Sequence, residues 1–416
     1  MSVNQVRPNL VVAVNSSIAV GFLQGQLQYF QSKGFDVTLL CPERRKDEWE
    51  VPQPEGISII KVAMERKIAP WRDLASLWRL WRTMRVLAPA VTNVGTPKAG
   101  LLGGFAAWLN RVPCRFYTLH GLRFETTKGL QRRLLIYAER LACFFAHRVV
   151  CVSHSVREKA IACGLTSREQ ALVSGSGSCN GVDASRFAPT PQTLRRAVEL
   201  RRQLGIPQDA IVVAFLGRLT RDKGIPELME AFLRLDQQFA NLRLVLAGCF
   251  EEEGPLPAET RECLETHPHV TFVGPVEDTP AYYAMADVVV LPSHREGLPT
   301  VVLEAQAAGR PVVGASATGI VDLVAHGETG LLFPVGDAAA LSIAVARLIT
   351  DKALAARLGR AGQERVKREF QQEQVWEALY RAYLGILQPK EAPMPFVPHR
   401  GERRNLVARA DDSLRI

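Results

Sequence analysis

Two glutamates, Glu296 and Glu304, stand eight positions apart in the stretch SHREGLPTVVLEAQAAGRPV at residues 293–312. Ahead of them DVVVLPS reads as a buried parallel strand and HREGL as the turn at its C-terminal edge. Pro299 reads as the first position of a helix that Gly309 ends. The amides of Gly297, Leu298 and Thr300 then lie near a helix N-terminus, on the edge where doubly wound sheets bind ligands, and such an edge is an anion site. Glu296, in the turn, either caps that helix or accepts hydrogen bonds from a ligand hydroxyl. Glu304 shares a flank with Val301, Val302, Leu303 and Ala305 and needs a partner there. A lysine or arginine at a domain surface would serve; so would a vicinal diol such as a ribose, which offers two donors to one carboxylate.

A second segment adds cations to the same edge. The apolar run AIVVAFLG ends at Gly217, and GRLTRDKG then supplies Arg218 and Lys223 before the next helix. A solvated basic turn is the ordinary explanation of such a loop. Two cations, a helix N-terminus and two hydroxyl-seeking carboxylates on one edge, however, match the diphosphate, ribose and sugar of a nucleotide-sugar.

The elements that must position these residues follow from the hydrophobic pattern. Short apolar runs alternate with amphipathic segments: LVVAV (10–14), DVTLLCP and RVVCVS (148–153) in the first half, then AIVVAFLGRL (210–219), LRLVLAG (242–248), VTFVG, ADVVVLPS and RPVVGAS in the second. That rhythm is the signature of βαβ units, and its restart predicts two Rossmann-like domains. The expected divisions are residues 1–184, a linker at 185–208 with proline and turn residues, a second domain at 209–365, and an amphipathic helix at 366–388. A disordered tail is expected at 389–416.

Composition narrows the classes. The 416 residues are 47% hydrophobic and 22% charged, an ordinary globular balance with material for two cores. The net charge of +9 favours an anionic partner without choosing among nucleotide, nucleic acid and lipid headgroup. Eight cysteines without a CxxC pair read as buried structural thiols of a reduced, cytosolic protein. The N-terminal apolar run is too short for a secretory signal, and no run is long enough to span a bilayer. A cytoplasmic chain that touches the inner face of the membrane is the expectation.

With these residues in hand, the sequence resembles the retaining glycosyltransferases of family 4. The matching segments are FLGRLTRDKG (215–224), ADVVVLPSHREGLPTVVLEAQAAGRPVVGA (286–315), TGIVDLVAHGETGLLFPVGD (318–337) and NGVDASRF (180–187). The resemblance implies an α/β chain of the GT-B fold, with two Rossmann-like domains facing across a cleft and the last helix crossing back to the first domain. It implies that Arg218 and Lys223 bind the donor diphosphate, Glu304 the ribose hydroxyls and Glu296 the transferred sugar, with amides of Gly297, Leu298 and Thr300 completing the contacts. TLHGLRFE (118–125) resembles the family's strand-end histidine segment, which makes His120 the candidate nearest the reacting centre. The family's double glycine in the first βα loop is replaced by NSSIAVGFLQGQ (15–26), so Gly21 is the remaining candidate for contact with the donor there. No Asp-x-Asp motif occurs, and the reading requires neither a metal nor any other cofactor beyond the nucleotide-sugar donor, by family habit a UDP-sugar.

On the acceptor side, residues 61–90 hold seven Lys or Arg against two acids, and residues 123–148 hold six against two. The apolar stripe Leu74, Leu77, Trp78 and Trp81 has helical spacing and is expected to face the core. The arginines beside it point to contact with an anionic membrane surface, without a nucleic-acid motif. HGLRFE further resembles enzymes that extend undecaprenyl-diphosphate-linked sugars in capsule, exopolysaccharide or O-antigen synthesis. Two rivals remain: a nucleotide-sugar 2-epimerase of the same architecture, and a sugar- or nucleotide-binding protein without catalysis.

Overall fold

The computed structural model describes residues 7–16, 18–44, 54–65, 69–251 and 254–387; the tail 389–416 lies outside them. The first domain is built on β1 (Asn9–Ala13), β2 (Asp36–Cys41), β3 (Ser58–Lys61), β4 (Val91–Gly95), β5 (Cys114–Leu119), β6 (Arg148–Cys151) and β7 (Ala171–Val173), in the order β3-β2-β1-β4-β5-β6-β7. The second is built on β8 (Ile211–Leu216), β9 (Leu242–Ala247), β10 (Val270–Gly274), β11 (Val288–Leu291), β12 (Val312–Ala315) and β13 (Leu331–Phe333), in the order β10-β9-β8-β11-β12-β13. Every pairing is parallel. Near-continuous apolar strands such as IVVAFL and LRLVLA are buried because helices cover both faces. Strand order reverses between β1 and β4 and again between β8 and β11, so each sheet has one switch point, where open α/β sheets bind ligands.

The C-terminal edges of the two sheets face each other. Ser155, after β6, donates its amide to Asp322 Oδ1 at 3.0 Å, and its hydroxyl also bonds that carboxylate. The Gly319 amide donates to Ser155 Oγ at 2.8 Å, and Thr318 Oγ1 donates to Glu125 Oε1 at 2.8 Å. Lys159 closes the cluster with an ion pair to Glu125 at 2.6 Å.

Three readings of the sequence are amended by packing. The helical stretch expected within the linker 185–208 is the helix Pro191–Gln203, and it belongs to the second domain, whose core buries its Ala197 and Leu200. The amphipathic pattern at 366–388 is two helices, Lys352–Glu369 and Gln372–Leu387. The break falls where the chain changes domains. Phe370 is buried in the second core and its carbonyl accepts from the Val182 amide at 2.9 Å. Trp376 donates to Asn180 Oδ1 at 2.7 Å, and Tyr383 packs in the first domain, accepting from Asn93. A single straight helix could not serve both domains.

The third amendment concerns the apolar stripe. Leu77 and Trp81 do pack against the first core, but Leu74 and Trp78 are exposed, because the helix Pro70–Leu87 buries Ser76, Leu80 and Met84 instead. All eight cysteines are free.

Candidate active site

The loops after β8 and β11 meet at the switch point of the second sheet. Pro299 stands one residue ahead of the helix Thr300–Ala307, as its N-cap with φ −74°, and Gly309 follows the helix end with φ 69°. Gln306, on the buried side, donates to the carbonyls of Leu323 and Thr329, which fixes the helix on the next loop.

Lys223 Nζ reaches Glu296 Oε1 at 2.5 Å, and Arg218 reaches Glu251 Oε2 at 2.6 Å. Each candidate phosphate ligand is therefore held by a carboxylate. Burial opposes the charge on Arg218, but Glu251, Asp222 and Glu296 together hold its guanidinium above its usual range. Asp222 is likewise partly desolvated, yet a hydrogen bond from Thr220 and the charges of Arg295, Arg218 and Lys223 hold its carboxyl below the usual range. Arg295 pairs with Asp222 at 3.0 Å and donates across the cleft to Thr126 Oγ1 at 2.9 Å. His294 Nε2 lies 2.8 Å from Glu227 Oε1, and that bond raises the imidazole pKa while pinning the turn to the helix Ile225–Asp236.

Among the described residues Glu304 makes no ion pair with a lysine or arginine; its protein partner is a tyrosine. Its Oε2 accepts from the hydroxyl of fully buried Tyr283 at 2.7 Å. Burial raises the Glu304 pKa to about 7, against the lowering effect of the Tyr283 bond and the more distant charge of Arg186. Burial also keeps Tyr283 protonated, so it remains a donor.

His120 comes from the opposite sheet, one residue after β5. Burial lowers its pKa to about 4, so the imidazole is neutral at physiological pH. The two domains touch at this residue: a methyl group on Gly297 would lie 1.8 Å from the His120 carbonyl oxygen, and one on Gly319 would lie 2.3 Å from the Gly297 carbonyl oxygen. Glycine is the residue that allows three backbones to meet so closely. Gly95, at the end of β4, faces the histidine ring, where a β-carbon would lie 2.8 Å from Nε2. Gly21 falls inside the 3₁₀ turn Ile18–Leu23, beside Phe22, whose ring centroid is 6.4 Å from that of His120.

The structure thus brings together His120, Glu296, Gly297, Lys223 and Arg218, with Gly21 on the His120 side, Leu298 and Thr300 continuing from Gly297 and Glu304 beneath them. Tyr283, Gly95, Asp222, Arg295, Glu251 and the His294–Glu227 pair were not singled out by sequence. Asp222, His294 and Arg295 lie inside the motif segments and had that signal; Tyr283 and Glu251 are brought in by tertiary packing alone. Among the described residues, no group of three or more His, Cys, Asp or Glu could hold a metal ion, and no helix is long and apolar enough to cross a membrane.

The chain is similar to known proteins in both sequence and fold. A family model described as "Glycosyl transferases group 1" matches residues 197–365, and one described as "Glycosyl transferase 4-like domain" matches residues 22–175. A capsular polysaccharide biosynthesis glycosyltransferase of Staphylococcus aureus, CapM, is 32% identical over 381 residues, 92% of this chain and 97% of that protein. An Escherichia coli UDP-Gal:alpha-D-GlcNAc-diphosphoundecaprenol alpha-1,3-galactosyltransferase is 26% identical over 80% of this chain and 86% of its own length. The crystal structure of Anabaena HepE in complex with UDP-glucose superposes with a TM-score of 0.74 at 20% identity, covering 90% of this chain and 98% of that one.

Proposed function

The chain belongs to the family 4 glycosyltransferases of GT-B fold, and from that premise we propose that it moves a sugar, with retention, from a UDP-sugar to a polyprenyl-diphosphate-linked saccharide. The observation that carries the reading is the contact of the His120 carbonyl with Gly297, which sets the histidine of one domain against the Glu296 turn of the other. The UDP-sugar is supported by the uridine nucleotides named for the E. coli relative and the Anabaena neighbour. The acceptor is supported by the diphosphoundecaprenol saccharide named for the former and by the basic surface of the first domain.

In this reading the donor diphosphate takes Lys223 and Arg218 from Glu296 and Glu251. The cations, with the amides of Gly297, Leu298 and Thr300, stabilise charge developing on the leaving group. Freed from Lys223, Glu296 accepts hydrogen bonds from the transferred sugar, and His120 contacts that sugar from the opposite side as a neutral ring. Glu304, oriented by Tyr283, accepts from the ribose hydroxyls. The bond from the anomeric carbon to the diphosphate oxygen breaks and one to the acceptor hydroxyl forms on the same face, while the acceptor proton passes to the departing phosphate. UDP and the extended lipid-linked saccharide are the products. Closure of the cleft excludes water that would otherwise hydrolyse the donor.

Substitution tests the assignment. Glu296→Gln and His120→Ala are each expected to lower turnover roughly a hundredfold or more, while UDP affinity, measured by calorimetry, changes little. UDP binding lost in proportion to turnover would instead make these residues part of the nucleotide site. A product still attached to nucleotide would mark an epimerase.

A further inference from the structure

The first domain carries a cavity at the edge of its sheet away from the cleft, where the residues before β5 and β6 meet the C-terminal ends of the helices Pro97–Leu109 and Gly129–Phe145. It holds about 590 Å³, within the span of roughly 300–1,000 Å³ usual for small-molecule sites. Trp108, Leu109, Val112 and Pro113 form its wall, and Arg111, Arg115 and His147 complete the lining, with no carboxylate among them. Arg115 and His120 stand at opposite ends of β5, about 16 Å apart at ~3.3 Å per residue, so this cavity is separate from the candidate active site.

Helix ends account for only part of this lining. The carbonyl end of a helix attracts cations, and Arg115 serves that need: its Nε donates to the Phe145 carbonyl at 2.7 Å, while its Nη1 donates to that of Val112 at 2.8 Å. Arg111 serves no such need. Among the described residues its guanidinium has no hydrogen bond or ion pair, and its backbone stands at φ 54°, in the left-handed region that glycine occupies at least cost. The Arg115 amide donates to His147 Nδ1 at 3.2 Å, which puts the ring proton on Nε2, where no described residue accepts it. Burial, then the charges of Arg115 and Arg148, lower the His147 pKa, so the ring is a neutral donor at physiological pH. Trp108 is stacked on Phe105 at 5.9 Å and braced by Phe145 at 5.8 Å, yet 43% of it is exposed.

An indole held rigid and half-exposed offers its surface to a ring, and guanidinium groups bind phosphate oxygens in pairs. We propose that this cavity is a second ligand site that takes a phosphorylated ring, of a sugar or a nucleoside, with the ring against Trp108 and the phosphate on Arg111, Arg115 and His147. Under the transferase reading, compounds of this class supply the formation of nucleotide-sugars and are released by their turnover, so the site would sense that supply without touching the cleft. The site itself rests on the cavity alone.

The experiment is fluorine NMR of the full chain carrying 5-fluorotryptophan at its six tryptophans, with the Trp108 signal assigned through Trp108→Phe. With UDP added to saturate the cleft, glucose 1-phosphate and UMP are titrated separately. At least one is expected to move the Trp108 signal saturably, and the one that binds tighter names the ring. Glucose, uridine and inorganic phosphate are each expected to act roughly tenfold more weakly or less. Arg111→Gly should weaken the response roughly tenfold or more while keeping or raising the melting temperature, because glycine suits the backbone there. A Trp108 signal that neither compound moves overturns the proposal, as does a response that Arg111→Gly leaves unchanged. Inorganic phosphate acting as strongly as the phosphorylated rings also overturns it, by making the cavity a place for an adventitious ion only. A response seen without UDP and abolished by it puts the ligand in the cleft and overturns the second site. An Arg111-dependent response in a chain that binds no UDP upholds the site while defeating the transferase reading.

Discussion

At the scale of single residues, Glu304 is the most informative group. Its pKa of about 7 exceeds the unfolded value of 4.5 because the folded protein buries it beside a neutral donor. The native state therefore binds more protons than the unfolded one between those values. Stability is lost as pH rises through that interval and stays reduced above it. A ribose ligand needs the ionised form, so UDP affinity is expected to rise with pH up to about 7 and level off above it. Glu304→Gln should raise the melting temperature at alkaline pH while weakening UDP binding and flattening its pH dependence. A lower melting temperature with UDP binding intact would make Glu304 a structural residue. Gly95→Ala makes a complementary case: a β-carbon 2.8 Å from His120 Nε2 must displace the ring. Turnover should fall roughly tenfold or more with UDP affinity kept, and full activity in Gly95→Ala would separate the ring from catalysis.

At the scale of elements, the turn 292–299 is held in place from outside. The bond to Glu227 raises His294, so its stabilising effect is full below the unfolded histidine pKa of 6.5 and is lost as pH rises through the raised folded value. Glu227 has the opposite sign: burial resists its charge, but the His294 bond holds its carboxyl low, and its contribution disappears as pH falls through that depressed value. The melting-temperature gap between wild type and His294→Gln should be widest in mildly acidic buffer and narrow as pH rises past neutral; a gap independent of pH would remove the ion pair. This scale also divides what sequence reveals from what it hides. Apolar runs marked β1, β2, β6, β8, β9, β11 and β12 because buried parallel strands need them, and VTFVG marked β10 although this edge strand is only half-buried; the turn residues around Glu296 marked the helix start to within one position. The break at Phe370 carries no proline or glycine; its cause is the Val182 amide, 188 positions earlier in the chain. The exposure of Leu74 and Trp78 was hidden because periodicity reports an apolar face without saying what covers it. Tyr283 and Glu251 were equally invisible as partners of Glu304 and Arg218, since those pairings depend on tertiary packing.

At the scale of the whole molecule, the domains meet through few groups, and Asp322 is central among them, receiving both the amide and the hydroxyl of Ser155 at the N-terminus of the helix His154–Ala162. Asp322→Ala is expected to enlarge the radius of gyration in solution scattering and raise the acceptor KM more than the UDP Kd. Unchanged scattering and kinetics would mean that the cleft closes without this bond. The account as a whole rests on transfer of a sugar to a lipid-linked acceptor. Its most direct test is a panel of labelled UDP-, GDP- and ADP-sugars, each incubated with the protein and a bacterial membrane lipid extract, following where the label goes. The account predicts that label from one UDP-sugar moves into the organic-soluble fraction with release of UDP. Label that stays on the nucleotide as an epimerised sugar, or no turnover of any donor, would contradict it.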